Sequence, residues 1–526
     1  MAQGFDILIR GGLICDGSGR PAVIGDVGIN GDIIALVGQA GNCRGTTEID
    51  AAGLAVAPGF INMLSWAGDD LLVDGRSQSD IRQGVTLEVM GEGSSMGPWN
   101  DRMKAEDLEQ QGDIGYDIRW TTLGEYLDYL VRRGVSTNVA SFVGATTVRI
   151  HELGHADRRP TPDELEAMCR LVREARREGA MGVASSLSSA PAAYADTAEL
   201  IALARAAGEC GGMYISHMRN EADHLLEAFD EFLTITRAAH VAAEIYHLKA
   251  SGQANWAKLP TFLGRIEEAR DAGLAITADM YTYEASSTGL DAVMPPWVQE
   301  GGHKAWVERL KDPAVRDRVR REMNEPASTW DNGYTSAGGA KGILLIGFKQ
   351  DQLKPLTGKS LAEVAAMRGT PPEDTAMDLV IEDDSRVASI FFSMSEDNVR
   401  TQIRRPWMSF CSDGGSISAE GVFLKRNRHP RTYGAFARLL GRYVRDERLI
   451  RLEEAVRRLT SLPAANLKIA NRGRLAPGFL ADVVVFDPAT IRDNATYDRP
   501  HQYATGVHHV LVNGTPVIRD GDHTHA

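Results

Sequence analysis

Paired cysteines are missing from this chain. Its 526 residues include five, Cys15, Cys43, Cys169, Cys210 and Cys411, with no CxxC spacing and an odd total. That argues against a disulfide framework, and the five read as reduced thiols. An excess of positive charge is missing as well: 57 Lys and Arg stand against 71 Asp and Glu, for a net charge of -14. Nucleic-acid binding along the phosphates and docking on an anionic membrane both need clustered basic residues, so neither is expected. No apolar run approaches a membrane span, and there is no low-complexity tract. The start, Met1-Ala-Gln-Gly-Phe-Asp, lacks a charged segment leading into an apolar one, so the expected location is cytoplasmic. What remains is an acidic chain with 43% apolar and 24% charged residues, too long for one simple domain. Its charge alone specifies no partner chain.

What is present is a series of short apolar runs separated by helical stretches. Two of them end in histidine: Met213-Tyr-Ile-Ser-His217 and Ala243-Glu-Ile-Tyr-His247. A strand, a helix and two turns take about thirty residues, close to the separation of the two histidines, so these belong at the ends of neighbouring parallel strands. Eight such strands are expected: Phe60 to Leu64, Val85 to Met90, Val139 to Val143, Gly182 to Ser186, Met213 to His217, Ala243 to His247, Ala275 to Asp279 and Met408 to Ser412. Helical spacing is clearest from Thr161 to Gly179, where Met168, Leu171, Val172 and Ala175 share a face. Thr197 to Gly208 and Leu452 to Ser461 are two more expected helices. The fold class is therefore α/β, a (β/α)8 TIM-type barrel whose active groups gather at the C-terminal strand ends.

Both ends of the chain read as short antiparallel strands with turns, including an Asn513-Gly514 hairpin signal. Together they are expected to form one small β-sandwich from residues 1–57 and 472–526, around a barrel at 58–471. The gap between strands seven and eight is too long for one helix and must hold an insertion, at about 288–400. Within it, Gly338 to Phe348 and Ala388 to Ser393 look like extra strands.

The strand ends bring Glu92, His217, His247, Asp279, Tyr281 and Asp413 around one mouth. Two imidazoles and a carboxylate make a three-ligand zinc site that keeps a position open for water, whose pKa the metal lowers. The plainer reading of each histidine is a hydrogen-bonded strand end. Asp413, in Phe410-Cys-Ser-Asp-Gly-Gly, is either a proton carrier or an Asx turn opening the loop after strand eight. Arg431, in His429-Pro-Arg-Thr-Tyr-Gly, is either a fork for a substrate carboxylate or a solvated arginine in a basic loop. Lys249, two residues beyond His247, either meets an anionic substrate or pairs with Glu221.

Several segments resemble the amidohydrolase superfamily: Leu475-Ala-Pro-Gly-Phe-Leu-Ala-Asp, Ala57-Pro-Gly-Phe-Ile and Cys411-Ser-Asp-Gly. More narrowly, Ser216-His-Met-Arg-Asn-Glu, Tyr246-His-Leu-Lys, Asp279-Met-Tyr-Thr-Tyr-Glu-Ala-Ser-Ser-Thr-Gly and His429-Pro-Arg-Thr-Tyr-Gly are similar to the D-aminoacylase (N-acyl-D-amino-acid deacylase) family. The resemblance covers almost the whole chain. It implies hydrolysis of an N-acyl group from a D-amino acid, with His217 and His247 as zinc ligands, Asp413 as catalytic acid/base and Arg431 on the substrate carboxylate. It further implies substrate-side positions at Lys249, Tyr283, Tyr194, and Ser286 or Ser287, and a small-molecule substrate with a free carboxylate.

Two departures from the pattern, and one contrast with cyclic-amidase relatives, shape the expectation. Leu64 and Trp66 stand where the superfamily usually has a His-x-His pair, so the second metal position is expected to be absent or weakened, leaving one Zn2+ per chain. Trp66 would then narrow the pocket, stack on an acyl chain or fill the vacated space. The cysteine ligand common after strand two is replaced by Met90-Gly-Glu-Gly-Ser-Ser, so Glu92 is expected to supply the third ligand after a small shift in the turn, with Glu88 as the fallback. Strand four ends Ala184-Ser-Ser-Leu, without the lysine that cyclic-amidase relatives carbamylate. The alternatives are a metallopeptidase or other amidase on the same scaffold, or a degenerate barrel without catalysis.

Overall fold

Runs of small and β-branched residues form the parallel strands where alternation and turn residues locate them. The computed structural model describes residues 4–325 and 329–526, so the first three residues of the amino-terminal stretch lie outside it. Six parallel strands lie in one sheet, in the order Met408–Phe410, Ile276–Met280, Ala243–Ile245, Met213–His217, Gly182–Ser186 and Val143–Gly144. A second sheet holds Phe60–Asn62, Val85–Met90 and Asn138–Ser141. The third expected strand is thus interrupted at Phe142, pairing with Val85–Met90 before the break and with Gly182–Ser186 after it.

The expected closed ring is therefore seen as two parallel sheets rather than one continuous ladder. At the other junction, Phe60–Asn62 and Met408–Phe410 each form a ladder with an inner neighbour but not with one another. Contacts there are single ones: Met63 N donates to Phe410 O (3.4 Å), Asp413 N to Leu64 O (3.0 Å), and Trp66 N to Gly414 O (2.9 Å). They seat the ends of the first and last strands side by side.

The helices between strands follow the apolar spacing. Pro162–Arg177 starts in a capping box, with the Thr161 side chain accepting from Glu164 N and Pro162 in the first turn, and it buries Met168, Cys169, Val172 and Ala175. Each large apolar side chain buried there contributes roughly 1.5–3 kcal/mol. Replacing Thr161 by alanine would cost about 1 kcal/mol through the lost cap. Thr197–Glu209 and Leu452–Leu459 occupy the other two expected stretches. Among the described residues, no helix is long and apolar enough to cross a membrane.

The two ends of the chain share one nine-stranded sheet, so the expected sandwich is seen as a single hydrogen-bonded sheet. Ala55–Pro58 is its link, parallel to Gly4–Ile14 on one side and antiparallel to Val483–Phe486 on the other. The Asn513-Gly514 turn joins Val507–Val512 to Thr515–Arg519, with both turn residues at positive φ (49° and 77°) as a type I′ turn requires. The insertion has its own antiparallel sheet of Ser286–Gly289, Ala388–Phe391 and Ile343–Gly347, packed over a separate core that includes Leu290, Val293, Val364 and Leu379.

Candidate active site

Glu92 reaches inward because glycines flank it. Gly91 and Gly93 both take positive φ (105° and 65°), and an added Cβ would meet Phe142 O at 2.3 Å from Gly91 and Ser186 Cβ at 2.6 Å from Gly93. No other residue fits either position without displacing backbone or a neighbouring strand. The turn swings the Glu92 carboxylate between the two histidines, with Oε1 lying 3.0 Å from His217 Nδ1 and 3.0 Å from His247 Nε2. The rings meet edge to face with centroids 4.6 Å apart. Burial pushes the Glu92 carboxyl pKa up, but the facing His247 and His217 imidazoles more than offset this and hold it well below the ordinary range.

The opposite nitrogens of both rings face a second carboxylate. Glu221 Oε2 lies 3.4 Å from His217 Nε2, and Glu221 Oε1 lies 3.3 Å from His247 Nδ1. Lys249 Nζ completes this layer, 2.7 Å from Glu221 Oε2 and 2.7 Å from His247 Nδ1. Glu221 is itself held below the usual carboxylate range: burial works against it, and His217, Lys249 and His247 outweigh burial. Of the two roles expected for Lys249, the pairing with Glu221 is the one present in the structure.

This arrangement fits a metal. One ligand atom each from Glu92, His217 and His247 lies within 4.8 Å of the others, and an N, N, O donor set is that of catalytic zinc sites. On the far side of both rings the Glu221 carboxylate lies within 3.4 Å, and Lys249 Nζ is the group within hydrogen-bond distance of His247 Nδ1. His217, Glu221 and Asp331 form a second close group, but the Lys249 ammonium already supplies its positive charge. Asp331 comes from the insertion and accepts from Glu221 N (3.1 Å), with its pKa pushed up to about 6 by burial and by Glu221. Glu88, the fallback ligand, is instead surrounded by Ser65, Thr137 and Ser416, which donate to it at 2.8–3.1 Å.

Asp413 sits at the junction of the last and first strands, in the left-handed region (φ 47°). Its Oδ1 accepts from Trp66 Nε1 (3.1 Å), and its Oδ2 pairs with Arg431 Nη1 (2.8 Å). Burial raises its pKa, against the pull of Arg431. Arg431 is buried, its guanidinium 4.4 Å from the centroid of the Tyr281 ring, and its Nε has no hydrogen-bond partner among the described residues. Lys249 Nζ lies 5.8 Å from the same ring centroid, so two cations lie close to Tyr281. Asp279, on the seventh strand, accepts from His247 N (2.8 Å), and burial raises its pKa to about 6.

The remaining expected positions make contacts of their own. Tyr194 donates to Pro296 O (2.7 Å), tying the loop after strand four to the insertion. Ser287 Oγ donates to Ser389 O (3.0 Å), while Arg431 Nη2 reaches Ser287 O (3.5 Å). Ser286 pairs across the insertion sheet with Phe391. Tyr283 is buried, its hydroxyl turned to Pro430 O (3.5 Å) and Asp493 (3.4 Å). Sequence reasoning missed Asp331, the double role of Glu221, and the bond from Trp66 to Asp413. Only Glu221 carried a signal, its place four residues after His217.

Residues 47–518 match the model of the Amidohydrolase family. The chain belongs to that family. A D-aminoacylase of Alcaligenes xylosoxydans xylosoxydans is 34% identical over 99% of this chain and 96% of its own length. The crystal structure of N-acyl-D-glutamate deacylase from Bordetella bronchiseptica superposes with a TM-score of 0.81 at 32% identity, covering 98% of this chain and 97% of that one. That structure contains zinc and a phosphonate inhibitor that mimics the tetrahedral intermediate. A D-aminoacylase structure, also at a TM-score of 0.81 and 32% identity, covers 99% of this chain and 98% of its own. It concerns that enzyme's binuclear centre, described as activated by one metal and attenuated by the second.

Proposed function

We propose that this amidohydrolase is a deacylase that hydrolyses the amide of N-acyl-D-amino acids to a carboxylate and a free D-amino acid. The observation that carries the reading is the convergence of one Glu92 oxygen on nitrogens of His217 and His247, each imidazole backed by Glu221. These three residues would hold one Zn2+. A zinc ion held there supplies a Lewis acid and lowers the pKa of water.

The chain's own groups perform the remaining work. Asp413, with its pKa raised by burial, accepts a proton from the water that adds to the acyl carbon and returns it to the amide nitrogen as the C–N bond breaks. Arg431 offers its unpartnered Nε to the substrate carboxylate, and Lys249, near the same Tyr281 ring, adds positive charge. Tyr194, Ser286 and Ser287 line the substrate, and Tyr283 braces the Pro430 backbone that carries Arg431. The architecture we assign is a (β/α)8 barrel at 58–471 with its insertion at about 288–400 and a terminal β-sandwich from 1–57 and 472–526. The contacts between the first and last strand ends support closure of the ring. Five unpaired cysteines suit a reducing, cytoplasmic setting.

Turnover of N-acetyl-D-amino acids by zinc-loaded protein, compared with the L-isomers, dipeptides and hydantoins, tests the assignment. Hydrolysis of the D-series is expected to dominate. A preference for dipeptides or cyclic amides would replace this reading.

A further inference from the structure

Trp66 is an unusual residue to find at a strand end. At 46% exposed it is among the most open large apolar side chains described, so burial of its ring does not explain its presence there. Its polar atom, in contrast, is specifically engaged: Nε1 donates to Asp413 Oδ1 at 3.1 Å. The backbone reinforces this, with Trp66 N donating to Gly414 O (2.9 Å) and Asp413 N donating to Leu64 O (3.0 Å). Trp66 therefore holds the residue after Asp413 by its backbone and Asp413 itself by its side chain.

Asp413 needs that hold. Its backbone lies at φ 47°, where a non-glycine residue persists only when neighbours fix it. One carboxylate oxygen faces Trp66 and the other faces Arg431, whose guanidinium is packed over Tyr281. With the indole N–H removed, nothing described would oppose rotation of the carboxylate towards a two-oxygen pairing with Arg431. Such a pairing would occupy both oxygens and draw Arg431 away from an anionic substrate.

We infer that Trp66 is a positioning residue for Asp413, its indole N–H setting the plane of the carboxylate and keeping it from closing onto Arg431. The inference rests on the deacylase reading for its kinetic consequence and on geometry alone for its structural one. The test compares wild type with Trp66→Phe, which keeps the ring and loses the donor, and with Trp66→Gln, which returns an N–H. For the N-acetyl-D-amino acid that wild type turns over fastest, Trp66→Phe should lower kcat about 10- to 100-fold with little change in KM. Trp66→Gln should recover part of that loss, while melting temperature and metal content stay near wild type. Crystal structures of wild type and Trp66→Phe give a readout independent of turnover, in which the Asp413 carboxylate must rotate towards Arg431 in the variant. An active wild type whose Trp66→Phe variant keeps both its kcat and the original Asp413 orientation would overturn the inference. If wild type hydrolyses no N-acyl amino acid, the deacylase reading falls, and the crystal structures alone decide the role of Trp66.

Discussion

Glu88 lies within the strand Val85–Met90 and Glu92 in the turn that follows it, and both are buried. Their surroundings divide them. Glu88 is met by the hydroxyls of Ser65, Thr137 and Ser416 and lies near Asp80, so burial raises its pKa and no cation opposes it. Glu92 is met by two imidazoles and its pKa falls despite equal burial. A buried carboxylate among neutral donors is a core group that resists ionisation, whereas one facing two nitrogen ligands is prepared to share a metal with them.

The largest expected effect separates this pair. Glu92→Ala, which removes a metal ligand, should lower turnover by more than the roughly 10²–10⁴-fold that loss of one acid/base group costs, whereas Glu88→Gln should leave kcat essentially unchanged. Steady-state kinetics of the two variants at saturating zinc checks it, and equal losses would erase the distinction. Next, Asp413→Asn should cost on the order of 10²–10⁴ in kcat while zinc stays bound, because it removes the proton carrier and leaves the ligands intact. Smaller again is Glu221→Gln, which leaves both imidazoles facing Glu92 but weakens their backing. Competition with a chelator should register a loss of about 10- to 100-fold in metal affinity.

The smallest effect concerns a third buried glutamate. Burial, with Asp279 nearby, raises the pKa of Glu244 to about 8 although Thr277, Ser409 and Asn466 donate to it. The folded state therefore binds a proton that the unfolded state releases from about pH 4.5 upward. Stability from this group is present below that value and is lost as pH rises towards 8. Glu244→Gln should flatten the fall in stability between pH 5.5 and 8 and leave turnover unchanged. Denaturant melts at the two pH values measure it.

The same contrast marks how far the sequence can be read. Apolar runs bounded by turn residues placed parallel strands near all eight expected positions, the third of them broken at Phe142, because apolar patterning and turn residues are local properties. Glu92 was a candidate for a local reason too, its place just after the second strand where the family commonly has a cysteine. Glu88 and Glu92 differ only through what surrounds them, which arrives from distant segments: Ser416 lies 328 residues from Glu88, and His247 lies 155 from Glu92. Asp331 was hidden for that reason, coming from an insertion whose internal pattern says nothing of where it docks. The bond between Trp66 and Asp413 spans 347 residues and depends on how the first and last strands meet. That seam is also where the expected closed ladder gives way to a few single contacts.

The central claim is a one-metal centre held by Glu92, His217 and His247. Its most direct test is the zinc content of purified, chelator-washed and zinc-reloaded protein, measured for wild type, Glu88→Gln and Glu92→Ala. About one zinc per chain is expected in wild type and in Glu88→Gln, with almost none in Glu92→Ala. Two tightly held zinc ions in wild type, or a full complement retained by Glu92→Ala, would contradict it.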